Sequence, residues 1–450
     1  TPDELNMYLL DFGAETLKMY RRAPQVGDVI LQQDTDKVMN LWKMLVDKVN
    51  NRKKMFADYG GDYVSYIQAT GKILPNIVVI INGFELYNEN FGDDTFDLLS
   101  TITRDCQKYG IYFIMTSTTS NGIRSRLAQY LPNHFVFQMN DKYDYSSLLA
   151  RTKLEPADIL GRGLAKLDRV YEFQAAVPTE KDNYNIFISE KVKEVAEKYT
   201  TSAPKVPVLP DVVSVSYCYN ELKGVNQIPI GVEKESLAIR SVDLTKNTVN
   251  LITGMEFSEI KNFGGMFIKE MANLIGKNCY VYDLEKVYSE YSEVVTYCDN
   301  NILENFKVFG KFAFDLFNKY KEAGFDTNSI SEYGEYVCVI VGVDKFKNML
   351  GSEFDGAYSG LLSMIKGMPK IHFVLIDSAD NFKKREFDTW YKDTITGTRG
   401  IWIGNGMGSQ FTLKSTLTSR VLSVKLEKNF GYYVDGSTTV LVKFISEIGE

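Results

Sequence analysis

The feature that most constrains this chain is the order in which its short apolar runs recur. Tyr8-Leu9-Leu10-Asp11 returns as Tyr280-Val281-Tyr282-Asp283, and Val79 to Glu85 returns as Cys338 to Asp344, each with a glycine and then, two residues later, an acid. Ile111 to Met115 is answered by Ile371 to Leu375, Phe135 to Asn140 by Gly400 to Asn405, and a hairpin-like stretch from Gly163 to Phe173 by Gly431 to Phe444. Any one apolar run resembles another by chance. Five in one order, each displaced by about 260 to 270 residues, mark a duplicated domain. A length of 450 residues suits two such units. Between them, Thr200 to Pro210 carries Pro204, Pro207 and Pro210 and reads as an extended connector, so the expected division is 1–199, a linker at 200–210, and 211–450.

The spacing within each copy predicts the fold class. Short continuous apolar runs alternate with amphipathic stretches such as Asp36 to Phe56, where Val38, Leu41, Leu45 and Val49 share one face. That pattern predicts an α/β fold of mostly parallel sheets with helices on both faces. In such sheets ligands bind at the carboxyl ends of the strands, so the residues just after each apolar run are the candidate sites.

Composition narrows the function. With 44% hydrophobic and 24% charged residues the chain can bury a core in each copy, while a net charge of −7 opposes a groove that neutralises phosphates, so no nucleic-acid partner is expected. The five cysteines are scattered without a C-x-x-C pair and the two histidines are far apart, which predicts reduced, cytosolic thiols and no metal centre. No apolar run approaches the roughly 18 residues of a membrane span, and Thr1-Pro2-Asp3-Glu4 has neither the basic nor the apolar part of a signal peptide. Any membrane anchor is expected outside this sequence.

The second copy offers a candidate phosphate site. Thr248 to Thr253 reads as a strand, Gly254 opens a turn, and Ile260 to Ile275 reads as a helix. Strand, glycine turn and helix is the order of a P-loop, G-x-x-x-x-G-K-[ST], whose lysine reaches the phosphates and whose hydroxyl binds Mg²⁺. Counting from Gly254 and past Ser258, the Gly, Lys and Ser/Thr positions hold Glu259, Ile260 and Lys261, followed by Asn262. Glu259 inverts the charge and Ile260 removes the phosphate lysine. Three readings stand: a structural turn without nucleotide, weak binding through the helix N-terminus, or a remodelled loop in which Lys261 substitutes. If the backbone still makes a P-loop turn, restoring Gly, Lys and Thr at 259 to 261 is expected to restore measurable nucleotide affinity. The metal-binding strand of such sites ends in acids, whereas the first copy has Asn82 and Gly83 and the second Val341 and Gly342. Glu85 and Asp344 then read as solvated or helix-capping groups ahead of metal ligands. The first copy opens on the counterpart of the strand that follows the P-loop helix, so its own P-loop segment is expected upstream.

These residues resemble the FtsK/SpoIIIE family, and within it the tandem RecA-like P-loop ATPases of type VII secretion, the EssC/YukB/EccC group. The resemblance is carried by Asn6 to Phe12, Asn51 to Phe56, Leu74 to Val79, Tyr109 to Ile111, Gly122 to Leu127, Gly161 to Leu164 and Phe173 to Ala175 in the first copy, and by Ile228 to Gly231 and Gly400 to Gly406 in the second. It implies a membrane-anchored, hexamer-forming motor on the cytoplasmic face of the membrane. Such a motor couples ATP, with Mg²⁺, to export of WXG100-type proteins beside other membrane components of the system. A DNA translocase of the family carries acids and a T-Q-R-P segment where this chain has Asn82-Gly83 and Thr116 to Thr119, which opposes hydrolysis, and Ile260 without the phosphate lysine and Glu259 with its repulsion make ATP at the second copy expected to be weak or absent. Arg124 and Arg126 match an arginine-bearing segment at a subunit edge and read equally as surface salt-bridge residues. Trp402, Asn405 and Met407, around a glycine-rich loop, are candidate substrate contacts, with core packing as the alternative for Trp402. A DNA pump and a catalytically dead scaffold are the competing functions.

Overall fold

The computed structural model describes the chain apart from residues 181–182, 223–225, 245, 247–248, 366–367, 396, 398 and 447–450, so Thr248 of the expected strand lies outside the described residues. The chain divides into two compact units, Thr1–Val208 and Leu209–Glu450, a division that falls inside the proline-bearing stretch 200–210. That stretch is extended without being a free linker. Ala203 and Val206 are buried on the first unit, the Ala203 amide donates to the Pro24 carbonyl, and the Tyr8 hydroxyl donates to the Pro204 carbonyl at 2.9 Å.

Among its described residues the first unit has seven strands: β1 (Leu5–Asp11), β2 (Val26–Leu31), β3 (Asn76–Asn82), β4 (Ile111–Met115), β5 (Phe135–Val136), β6 (Arg162–Lys166) and β7 (Val170–Gln174). β2-β1-β3-β4 form a parallel sheet and β5-β6-β7 a separate antiparallel one. The Thr35–Phe56 and Phe84–Asp105 helices cover one face of the parallel sheet, where Tyr8, Leu10, Val79 and Ile81 pack with Val38, Leu41, Trp42 and Leu45. The other face is thinly covered, by a small cluster around Leu9, Val26, Val29 and Leu31.

The second unit joins ten strands into one sheet: β8 (Gln227–Glu233), β9 (Ile239–Asp243), β10 (Val249–Gly254), β11 (Cys279–Asp283), β12 (Thr296–Cys298), β13 (Tyr336–Val341), β14 (Ile371–Ile376), β15 (Arg399–Ile403), β16 (Phe430–Asp435) and β17 (Thr438–Phe444). Their order is β12-β11-β13-β14-β10-β15-β16-β17-β8-β9, parallel as far as β15 and antiparallel beyond it. Alternation sends Cys338 and Ile340 to one face and Val337, Val339 and Val341 to the other. Each face has its own core, one under the Ile302–Glu322 and Val343–Ile365 helices and one under the Phe257–Ile275 helix. The central strands β13 and β14 are apolar on both faces because each face has a helix to meet.

The two topologies superimpose the repeat. β2-β1-β3-β4 repeats β12-β11-β13-β14, and β5-β6-β7 repeats β15-β16-β17. In the second unit β10 joins the two sets. The first unit has no such strand among its described residues.

Candidate functional site

At the carboxyl end of β10 the chain turns sharply. Gly254 ends the strand and the helix begins at Phe257, so only Met255 and Glu256 lie between. A phosphate-encircling loop needs the four variable residues to be free of the helix, and two of them here, Phe257 and Ser258, are already in it. The Glu259 and Ile260 amides both donate to the Glu256 carbonyl, at 3.1 and 3.4 Å, which withdraws two donors that a phosphate would otherwise take. Ile260 is fully buried in the core beneath the helix, and its side chain lies 3.3 Å from where a Cβ on Gly254 would stand. The expectation of a loop through Ser258 with the helix opening at Ile260 is therefore corrected. Helix propagation won because Phe257 packs against the same core as Ile260 and Phe263.

Ser258, Glu259, Lys261 and Asn262 are exposed. The last three line a cleft of about 800 Å³ with Gly404, Asn405, Tyr288, Tyr291, Lys428 and Phe430 among its walls. Tyr288 is buried, and its hydroxyl has no hydrogen-bond partner. Gly264 admits it, since a Cβ there would stand 2.3 Å from the hydroxyl. The cleft's aromatic and mixed-charge lining was not read from the sequence, because its walls come from β11's following loop, the helix and the start of β16.

Trp402 and Met407 do not reach this cleft as a rim. Both are buried in the core, and the Trp402 indole N–H donates to the Gly404 and Asn405 carbonyls at 3.1 and 3.2 Å. The glycine-rich loop folds back over the indole, so core packing holds for Trp402 and extends to Met407. Asn405 alone of the three is exposed in the cleft, its Oδ1 accepting from the Leu426 amide at 2.7 Å.

The strand ends that would hold Mg²⁺ are tied up internally. In the first unit Asn82 donates to Asp11 Oδ1 and accepts from Thr116 Oγ1, each at 2.8 Å, and the Gly83 amide donates to the same hydroxyl at 3.0 Å. Gly83 sits at φ 76, where a side chain would be strained. Glu85 is not a solvated group. Its Oε1 accepts from Ser117 Oγ, the Thr118 amide and the Thr119 amide at 2.7, 2.6 and 3.1 Å. Partial burial raises this carboxyl, but hydrogen bonds from Ser117, its own amide and Thr118 outweigh that and hold it at about 2. In the second unit Val341 is buried and the Gly342 amide donates to the Ile376 carbonyl. Asp344 is ion-paired to Arg385 at 2.7 Å. Sequence reasoning missed Asp377, buried directly after β14, whose carboxylate accepts from Asn381, Ser378 and the Asp344 amide. An acid ending an apolar run was the available signal. Arg124 and Arg126, from the later segment around the short Ser125–Ala128 helix, reach across to the Phe84–Asp105 helix, paired with Asp93 at 3.7 Å and Asp97 at 3.0 Å and placed over the Phe96 ring.

The strand orders define a tandem RecA-like α/β fold. Residues 1–152 match the model of the FtsK/SpoIIIE family. The chain is 26% identical over 309 residues to the type VII secretion system protein EssC of Staphylococcus aureus (strain MRSA252), across 66% of this chain and 21% of that protein. The chain thus spans about a fifth of the length of that relative. The solved structure of ATPases 2 and 3 of EssC from Geobacillus thermodenitrificans superimposes with a TM-score of 0.80 at 21% identity, covering 100% of this chain and 86% of that one. ATPases 2 and 3 of Thermomonospora curvata EccC, solved in complex with a signal sequence peptide, give 0.57 at 18% identity, over 99% and 83%. The resemblance to FtsK/SpoIIIE-type tandem ATPases of type VII secretion holds, and these solved structures share the fold.

Proposed function

We propose that the two units are modules of a membrane-anchored, hexameric type VII secretion motor, and that the second recognises an exported WXG100-type protein instead of hydrolysing ATP. The observation that carries this reading is the pairing of a closed phosphate turn, sealed by Ile260, with an open cleft beside it. A cleft of about 800 Å³ with aromatic walls suits an inserted peptide segment. The similarity to EssC, and a fold shared with an EccC module solved with a signal sequence peptide, support the same reading. ATP and Mg²⁺ are weak or absent at the second unit because the buried Ile260 holds the lysine position and the amides at 259 and 260 are already bonded.

The test uses the whole 450-residue chain and a labelled peptide from the C-terminus of a secreted WXG100 protein. Binding is expected, and Asn262→Trp, which fills the cleft from an exposed helix position, is expected to weaken it at least about tenfold without lowering the melting temperature. Wild-type chain that ignores such peptides would remove the reading.

A further inference from the structure

One oxygen in the first unit collects more donors than it can use. Glu85, the second residue of the Phe84–Asp105 helix, turns its carboxylate towards the loop that follows β4. Its Oε1 stands 2.7 Å from Ser117 Oγ, 2.6 and 3.0 Å from the Thr118 amide and hydroxyl, and 3.1 and 3.4 Å from the Thr119 amide and hydroxyl. An ionised carboxyl offers about two lone-pair positions on each oxygen, so two amides and three hydroxyls exceed what this one accepts. The Ser117 hydroxyl is accordingly shared with the Thr119 carbonyl at 2.8 Å. Gly122 closes the cradle, since a Cβ there would stand 2.1 Å from Ser117 Oγ and 2.7 Å from Glu85 Oε1. Thr116, at the head of the loop, is fixed by Asn82 and by the Gly83 amide. The cradle therefore sits on the carboxyl ends of β3 and β4, the edge where ligands of such sheets bind.

We propose that residues 117–122 form an oxyanion-binding loop for a phosphate-type group, and that the protein's own Glu85 occupies it in this conformation. Converging amides and hydroxyls suit a centre that carries several charged oxygens, because phosphate spreads the five donors over three oxygens where Glu85 presents one. Thr118 and Thr119 are exposed and Glu85 is half-buried, so an ion from solvent reaches the donors once the carboxylate swings out. The second unit shows the same junction built for the opposite charge. Asp344, the counterpart of Glu85, turns its carboxylate to Arg385 while its amide donates to Asp377. Exchange of Glu85 for a free anion would also detach the first turn of the Phe84–Asp105 helix from the loop that leads through Gly122 to Arg124 and Arg126.

Thermal melts of the 450-residue chain with inorganic phosphate, at an ionic strength held constant with chloride, test this. Glu85→Ala empties the cradle, and phosphate is expected to bind that variant at least about tenfold more tightly than the wild type. Gly122→Ala added to it fills the cradle again and is expected to return the affinity to the wild-type level. Should Glu85→Ala fail to fold, Glu85→Gln keeps the shape and loses the charge that strengthens these bonds, and phosphate binding at least about threefold tighter than the wild type's is expected of it. ATP without Mg²⁺ separates two sources of the group. Equal affinity for ATP and phosphate assigns the loop to the free ion, and tighter ATP binding that is lost with Gly122→Ala assigns it to a nucleotide's phosphate. Phosphate affinity that is unchanged when the Glu85 charge is removed, or that survives Gly122→Ala, would overturn the proposal. Only first-unit residues are altered and no peptide is used, so the outcome is independent of the secretion reading.

Discussion

β3 and β13 are one strand written twice, and they live in different surroundings. Val78 and Val337 hold the same register position, yet Val337 is fully buried under the Phe257–Ile275 helix while Val78 is half open to water. Duplication preserved the strand order and the antiparallel hairpin and left the two units to diverge where the ligand would sit. In the first, the strand ends are locked by Asn82, Thr116 and Glu85; in the second, by Asp344, Asp377 and Arg385. The lesson is that the helix after β10 is held by its apolar face, so packing alone sets where it begins.

The largest effect is expected where the two units differ most in their turns. Glu259→Gly with Ile260→Lys and Lys261→Thr writes the P-loop residues back, but Ile260 is a core residue and a lysine there buries a charge without a partner. A loss of several kcal/mol is expected, on the order of 3 to 5, with no gain in ATP affinity. This reverses the outcome expected from sequence, and a variant that is stabilised by ATP would show that the turn can open. Next, Val337→Ala is expected to cost about 2 to 3 kcal/mol in denaturant melts and Val78→Ala less than about 1, since the same methyl groups are removed from a closed and an open face. Equal costs would mean that the first unit's face is covered after all.

A smaller effect concerns pH. Glu85 titrates at about 2 in the folded first unit against an ordinary 4.5, so its contribution to stability is complete above 4.5 and is lost as pH falls towards 2. Asp377 in the second unit is displaced the other way, because burial raises it from the ordinary 3.8 and outweighs its bonds from Asn381, Asp344 and Ser378. Its burial therefore costs stability as pH rises above 3.8. Glu85→Gln is expected to flatten the acid limb of the melting curve between 4.5 and 2, and parallel curves for variant and wild type would show that its clamp on residues 117 to 119 contributes nothing.

Much of this was legible in the sequence. The order of apolar runs foretold the matched strand orders, and Val38, Leu41 and Leu45 foretold a buried helix face, because strand and helix periods survive any tertiary context. The helix start was not legible. No side chain caps it, and the apolar period begins visibly only at Ile260, whereas packing carries the helix back to Phe257. Met407 was misplaced for a related reason, while the core reading of Trp402 held: the glycines from Gly400 to Gly408 read as an open loop, and only the indole's bonds to Gly404 and Asn405 show that it closes on itself. The Tyr288 wall of the cleft was invisible because its neighbours come from elements far away in sequence, whereas Asp377, an acid ending an apolar run, was legible.

The most direct test of the central claim is a calorimetric titration of the 450-residue chain with ATP and Mg²⁺. With the turn after Gly254 closed by Ile260 and the strand ends internally bonded, no binding tighter than the millimolar range is expected. A sub-micromolar dissociation constant would contradict it.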